Sequence, residues 1–234
     1  MTPFSGRLSV ALQEYFWTNK GRPINKWVRY LPIYERYFAP FRNRRIVFLE
    51  IGTGQGGSSQ MWKHYFGPAA DIVTIDIRPE CAAFADEQVS VRTGDQSDPA
   101  FLKSIVDEFG APDIVLDDGS HVMEHVNATF RFLYPQMMRD AIYMVEDMHT
   151  AYWPNWNGGL RKPGTFIEEM KNLVDELHGG PLNETQNVHD VPVSEISKLT
   201  RAVHFYPSIV VVEKGAFVNK EAFSIPFVEG QTIW

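Results

Sequence analysis

The sequence is short of cysteine, of basic charge and of long apolar runs, and each shortage excludes something. A single cysteine, Cys81, among 234 residues leaves no partner for an internal disulfide and fits a reducing compartment, so a cytoplasmic location is expected. Lys and Arg number 22 against 29 Asp and Glu, and the formal net charge of −7 argues against non-specific nucleic-acid binding, which needs a basic face. No run approaches the roughly 20 apolar residues of a membrane span, and the N-terminal MTPFSGRLSVALQEYF lacks the apolar centre of a signal peptide. Neither a nucleic acid nor a membrane is therefore an expected partner. Repeats, low-complexity tracts and linkers are also missing, which leaves one domain with a helical N-terminal arm as the simplest organisation.

What is present is arranged around the stretch RIVFLEIGTGQGG at 45–57, an apolar run that ends in an acid and then a glycine turn. Its first part reads as a strand buried on both faces, as in parallel sheets. The same pattern returns at 71–77, 89–93, 113–117 and 142–145, with helical periodicity at 58–66, 99–109, 124–138 and 166–178 between or after the strands. This alternation predicts an α/β fold, a doubly wound and mostly parallel sheet over 45–214. Segments 199–205 and 208–213 flank Tyr206-Pro207 and are expected to pair as an antiparallel C-terminal hairpin. Residues 152–162 and 179–190 read as loops, and 215–234 as a tail with little pattern.

Residues 1–44 form the expected arm, with a helix at 8–17 and another opened by Pro32. Trp27, Tyr30, Tyr34, Phe38 and Phe41 recur at steps of three or four. Such a stripe docks the arm on the core, and that role is compatible with a lid over a ligand site.

Gly52, Gly54 and Gly57 fit G-x-G-x-x-G between a strand and a helix, where glycine lets the backbone approach a ligand and the helix N-terminus offers unpaired N–H groups. A dinucleotide would set its anionic pyrophosphate against this turn. Glu50, two residues before Gly52, is poorly suited to an anion and well suited to a cationic amino-acid ligand, which favours S-adenosylmethionine over NAD. Asp76 can accept both ribose hydroxyls of either cofactor.

Asp117, Asp118 and His121 follow the fourth strand, and Glu146, Asp147 and His149 follow the fifth. Parallel strands present these ends on one edge, and converging carboxylates need a hard cation. Any one such acid more often caps a helix or faces solvent; the cluster favours a site. Asp118, Glu146 and Asp147 are the candidate ligands of Mg²⁺ or a similar ion, and His121 is the candidate general base for deprotonating an acceptor hydroxyl. His125, His149 and His204 have structural default roles. Tyr152, Trp153 and Trp156 either pack the loop or give a bound substrate an apolar face.

The segments FLEIGTGQGGSSQMW, IVTIDIRPEC, RTGDQSD, IVLDDGSHVMEHVNATFRFLYP, YMVEDMHTAYWP and HFYPSIVVVEKG together resemble the class I S-adenosylmethionine-dependent methyltransferases, and among them the metal-dependent sugar O-methyltransferases of the macrocin and mycinamicin type. DDGSH and VED are the most specific parts. The resemblance implies a Rossmann-like methyltransferase sheet. It also implies cofactor contacts from Glu50, Gly52, Asp76, Asp95, Gln96 and Asp117, with Gly54 in the same turn. Mg²⁺ on Asp118, Glu146 and Asp147 and a base at His121 are implied as well. Larger members carry an additional N-terminal domain for which this chain is too short. The length resembles compact enzymes acting on sugars of polysaccharides, such as mannosides of mycobacterial polymethylated polysaccharides. The expected acceptor is a glycoside, an oligosaccharide or a glycosylated natural product, and the expected assembly is a homo-oligomer, a dimer first. A catechol O-methyltransferase, an NAD-dependent oxidoreductase and a pocket without chemistry are the alternatives.

Overall fold

The computed structural model describes residues 10–179 and 191–215. Among the described residues, seven strands form one sheet in the order β3-β2-β1-β4-β5-β7-β6. Strands β1 (Val47–Ile51), β2 (Asp71–Asp76), β3 (Val89–Thr93), β4 (Ile114–Asp117) and β5 (Ile142–Val145) are parallel, and β7 (Ile209–Lys214) pairs antiparallel to both β5 and β6 (Thr200–Tyr206). Strand order reverses between β1 and β4, the place where an open parallel sheet leaves a crevice beyond its carboxyl ends. The expected architecture, including the antiparallel hairpin, is what the chain adopts.

Alternating strand residues feed two cores. Phe48, Ile72, Ile114, Leu116, Met144 and Val211 point to one face, covered by α1 (Val10–Thr18), α2 (Leu31–Phe38) and α3 (Gly57–Phe66). Leu49, Val73, Val115, Tyr143 and Val212 point to the other, covered by α4 (Pro99–Phe109), α5 (Met123–Gln136) and α6 (Phe166–Gly179). Both faces being apolar explains why the central strands read as continuous rather than alternating runs. Helix α4 starts where its sequence says it should: the Asp98 side chain accepts from the Ala100 amide, and Pro99 occupies the first turn.

The aromatic stripe docks the arm. Tyr30, Tyr34 and Phe38 are fully buried, Tyr34 and Phe38 against Trp62, Phe38 also against Phe48 and Tyr30 against Tyr34, whereas Trp27 stays half exposed at the edge of the crevice. Each such burial contributes about 1.5–3 kcal/mol. The segment 152–162, expected as a plain loop, begins with the end of a 3₁₀ turn (Met148–Tyr152) and carries a second one (Pro154–Trp156). A four-residue helix α7 (Glu195–Lys198), capped by the Ser194 hydroxyl, was not legible in the sequence because so short a helix has almost no periodicity. Residues 180–190 and 216–234, read above as a loop and a tail, lie outside the described residues, as do the first two positions of the expected 8–17 helix.

Candidate active site

A cavity of 660 Å³ opens over the carboxyl ends of β1, β2, β4 and β5, within the size range of small-molecule sites. Its walls come from the β1–α3 turn, the ends of β2 and β3, the turn after β4, the end of β5 and the segment between α1 and α2.

The glycine turn is shaped by close approach. Gly52 has φ +96°, and a Cβ there would lie 2.1 Å from the Asp118 carbonyl oxygen, so the turns after β1 and β4 can touch only through glycine. Gly54, at φ +57°, has nothing within 4 Å of where its Cβ would be; its backbone faces open cavity. Asp76 anchors this side. Its Oδ2 accepts the Thr53 and Gly54 amides at 3.1 and 3.2 Å, and its Oδ1 accepts the Arg78 amide and Nε at 3.0 Å. Burial pushes the Asp76 carboxyl up, but the Arg78 guanidinium and the amides outweigh it and hold it at about 2.

Asp95 and Gln96 follow β3 and line the cavity. Asp95 accepts the Ser97 amide and hydroxyl, which lower its pKa. Gln96 accepts the Ser120 amide at 2.7 Å and donates to Asp117 and to the Thr129 hydroxyl, tying β3 to the turn after β4. Asp117 itself sits behind the wall, 1% exposed, and burial lifts its carboxyl to about 7 against the pull of Gln96 and the Gly119 amide. Glu50 also lies behind the wall, fully buried, with its oxygens taken by Ser58, Ser59 and Trp62 at 2.9, 3.3 and 3.1 Å.

The other side of the cavity holds the acids of β4 and β5. Asp118, His121 and Asp147 offer ligand atoms that all lie within 4.8 Å of one another. His121 Nε2 is 3.8 Å from both Asp118 Oδ1 and Asp147 Oδ2. His121 and Asp147 both adopt left-handed backbone, φ 58° and 54°, at a cost on the order of 1 kcal/mol each. Strain of this kind is tolerated where surrounding contacts over-determine it, and here both strained residues point into the same cleft.

Glu146 is held differently. Its Oε1 accepts from Lys26 Nζ at 2.9 Å and from the Tyr34 hydroxyl at 2.6 Å. Lys26 also reaches Asp118 Oδ2 at 2.6 Å and Glu50 Oε1 at 3.7 Å, and its side chain is 2% exposed. Of the three predicted metal ligands, Asp118 and Asp147 cluster with His121, while Glu146 is tied to Asp118 through Lys26. Burial opposes the charge on Lys26, yet Asp118, Glu146 and Glu50 outweigh it and hold the lysine well above its usual range. Burial and then Asp118 push the Glu146 carboxyl up, against Lys26 and Tyr34. One ammonium therefore does not balance the acids around it, and Asp118, His121 and Asp147 are a donor set fit for a divalent cation.

The aromatic residues Tyr152, Trp153 and Trp156 line no part of this cavity; they form a ledge beside it. Trp27, in the cavity wall, stands 5.6 Å from the His149 ring, His149 stands 4.7 Å from Trp153, and Trp153 stands 5.3 Å from Trp156. Tyr152 faces a second hollow with Phe205, Tyr206 and Ser208. His125 lines the main cavity, its Nδ1 3.1 Å from the Ser120 hydroxyl, while His204 pairs with Glu213 at 2.7 Å.

Lys26, Tyr30, Tyr34 and Arg78 are the site residues that sequence reasoning missed. Arg78 follows Asp76 by two positions and was open to inspection. The signal for Lys26 in the sequence is indirect: an excess of clustered acids demands a cation, which a lysine can supply as well as a metal.

No family model matches the chain. It is 36% identical over 195 residues to 8-demethyl-8-alpha-L-rhamnosyl tetracenomycin-C 2'-O-methyltransferase of Streptomyces olivaceus, covering 80% of this chain and 50% of that protein. It is 36% identical over 203 residues to demethylmacrocin O-methyltransferase of Streptomyces fradiae, covering 82% and 49%. The solved structure of MycE methyltransferase from the mycinamycin biosynthetic pathway, in complex with Mg, SAH and mycinamycin VI, superposes with a TM-score of 0.74 at 32% identity over 88% of this chain and 53% of that one. The chain spans about half the length of the curated relatives it matches. On this identity and this shared fold, the chain has the Rossmann-like methyltransferase fold and is similar, over about four fifths of its length, to sugar O-methyltransferases of the macrocin, mycinamicin and tetracenomycin type.

Proposed function

We propose that this chain methylates a hydroxyl of a sugar, using S-adenosylmethionine and a divalent ion such as Mg²⁺. The observation that carries the reading is the joining of two half-sites in one 660 Å³ cavity: the glycine turn with Asp76 on one side, and Asp118, His121 and Asp147 on the other. The names of the relatives support the sugar, and the Mg and SAH of the MycE structure support the cofactor and the ion.

The residues divide as follows. Asp76 takes the ribose hydroxyls, and the backbone of Gly52 and Gly54 lies against the cofactor. Asp95 and Gln96 close that end. Glu50 and Asp117 act from behind the wall, Glu50 by fixing Ser58 and Ser59 at the start of α3, and Asp117 by fixing Gln96 and Gly119. Asp118 and Asp147 would hold the ion, with Glu146 beside them on the Lys26 side. When bound, the cofactor supplies a methyl group already activated on sulfur, and the ion supplies positive charge that favours an ionised hydroxyl by several kcal/mol.

His121 takes the proton of the acceptor hydroxyl at Nε2, flanked at 3.8 Å by Asp118 and Asp147, which stabilise the resulting imidazolium. The same distances favour a second reading in which His121 Nε2 is itself a metal ligand. Trp27, Trp153 and Trp156 offer the acceptor an apolar ledge at the cavity mouth.

Calorimetric titration with S-adenosylhomocysteine and with NAD tests the cofactor; binding of NAD alone overturns the reading. Methyl transfer to a panel of glycosides, with a chelator and then with added Mg²⁺, tests the rest. Activity should vanish in chelator and return with Mg²⁺; full activity in chelator removes the ion from the account. His121→Ala separates the two roles of the histidine, because a base leaves Mg²⁺ affinity unchanged and a ligand does not.

A further inference from the structure

A lysine that is 2% exposed, on a segment with no regular secondary structure, reaches two acids 92 and 120 positions away. Lysine is almost never buried unless it is paired, so this placement is set by the acids. The segment that carries it is clamped on both flanks. Before Lys26, the Arg22 guanidinium donates to the Phe84 carbonyl at 3.0 Å, and the Pro23 carbonyl lies so close to Gly57 that a Cβ there would be 2.0 Å from it. After Lys26, the Tyr30 hydroxyl donates to Asp147 at 2.7 Å and the Tyr34 hydroxyl to Glu146 at 2.6 Å. One stretch of the arm therefore touches each of the carboxylates assigned to the ion.

We propose that Lys26 is a positioning residue that acts as a built-in counter-ion: it holds Asp118 Oδ2 and Glu146 Oε1 together on the arm side of the cluster and weakens the site for divalent metal. The proposal rests on the reading that a divalent ion binds here. The ammonium and the ion draw on the same carboxylates and repel each other. Lys26 thereby keeps the acids in place without the ion and makes ion binding weaker and more reversible than the acids alone would allow. The loss of the ammonium leaves two inward carboxylates without their partner, which destabilises the protein until a cation replaces it. Removing one positive charge a few ångströms from the ion is expected to tighten divalent binding by roughly tenfold or more.

The experiment compares the wild-type chain with Lys26→Met and Lys26→Arg, each with saturating S-adenosylhomocysteine. Mg²⁺ affinity is read by calorimetry and thermal midpoint with and without Mg²⁺. Lys26→Met should bind Mg²⁺ about tenfold more tightly, have a lower midpoint without it, and recover more of its midpoint on adding it than the wild type gains. Lys26→Arg, which keeps the charge, should stay near wild type in affinity. A purely structural lysine would lower the midpoint equally with and without Mg²⁺ and leave affinity unchanged or weaker, and that result overturns the proposal. Should Lys26→Met fold only when Mg²⁺ is present, the proposal stands; should it fail in both conditions, Lys26→Gln replaces it under the same criteria. A wild-type chain that binds no divalent ion refutes the functional reading itself, and is distinguished from failure of this inference by being seen before any substitution is made.

Discussion

The two halves of the cavity satisfy their acids in opposite ways. On the β2 side, Asp76 is held by the Thr53 and Gly54 amides and by Arg78, two positions further along the chain. On the β4–β5 side, Asp118, Glu146 and Asp147 are held by Lys26, Tyr30 and Tyr34, each at least 92 positions away in sequence. The first half is built from one near neighbour and from the backbone of the β1–α3 turn, 22 and 23 positions away. The second exists only because the arm folds across the sheet. A locally supported site should lose ligand affinity when broken while the fold survives; a site assembled from distant elements should lose stability as well.

The largest expected effect tests the chemistry on the β4–β5 side. His121→Ala should lower turnover by about 10²–10⁴-fold with S-adenosylhomocysteine affinity nearly unchanged, as steady-state kinetics and calorimetry would read together. Unchanged turnover would leave the histidine without its proposed task. On the other half, Asp76→Asn should weaken S-adenosylhomocysteine binding by roughly 10–100-fold, the range for hydrogen bonds to a charged group, while shifting the thermal midpoint little. A large midpoint loss would erase the contrast between the halves.

Tyr34→Phe removes the hydroxyl that donates to buried Glu146, and chemical denaturation should show a loss of about 1–3 kcal/mol. The loss should shrink when Mg²⁺ is present, since a cation then shares the Glu146 oxygen that is left with Lys26 alone. A substitution with no cost would mean the arm is not held through the acids.

The last test concerns pH. Burial raises the Asp117 carboxyl to about 7, so the folded state keeps a proton that the unfolded chain has released above about 4. Its contribution to stability is complete below the unfolded value and is lost as pH rises to about 7. Stability of the wild type should therefore decline across that window, and Asp117→Asn should flatten part of the decline. Denaturation midpoints at pH 5, 6, 7 and 8 would read it, and an identical slope in both proteins would contradict the shift.

This comparison also explains what could be read in advance. Strand and helix bounds came within a few residues throughout the sheet, because two buried faces impose apolar runs that end in polar turns. The strand ends Asp76, Asp118, Glu146 and Asp147 were legible for the same reason. The direct cofactor role expected of Glu50 was read from its place at the end of β1, but its oxygens are taken by Ser58, Ser59 and Trp62, an arrangement visible only once α3 is packed on the strand. Tyr152, Trp153 and Trp156 were legible as a cluster of aromatics, yet their distance from the cavity, bridged by Trp27 and His149, depends on how the 3₁₀ turns after β5 fold. Lys26 was missed because a single lysine has no period and no spacing rule.

The sequence by itself determined the sheet, its strand order class and the edge on which the acids gather, since burial on two faces and glycine at a close approach are local demands that each segment states alone. Tertiary structure decided which cations and hydroxyls those acids meet. The pairing of Lys26 with Asp118 and Glu146, and of Tyr30 and Tyr34 with Asp147 and Glu146, follows from packing the aromatic stripe against Trp62 and Phe48, a contact between distant parts of the chain that charge then completes.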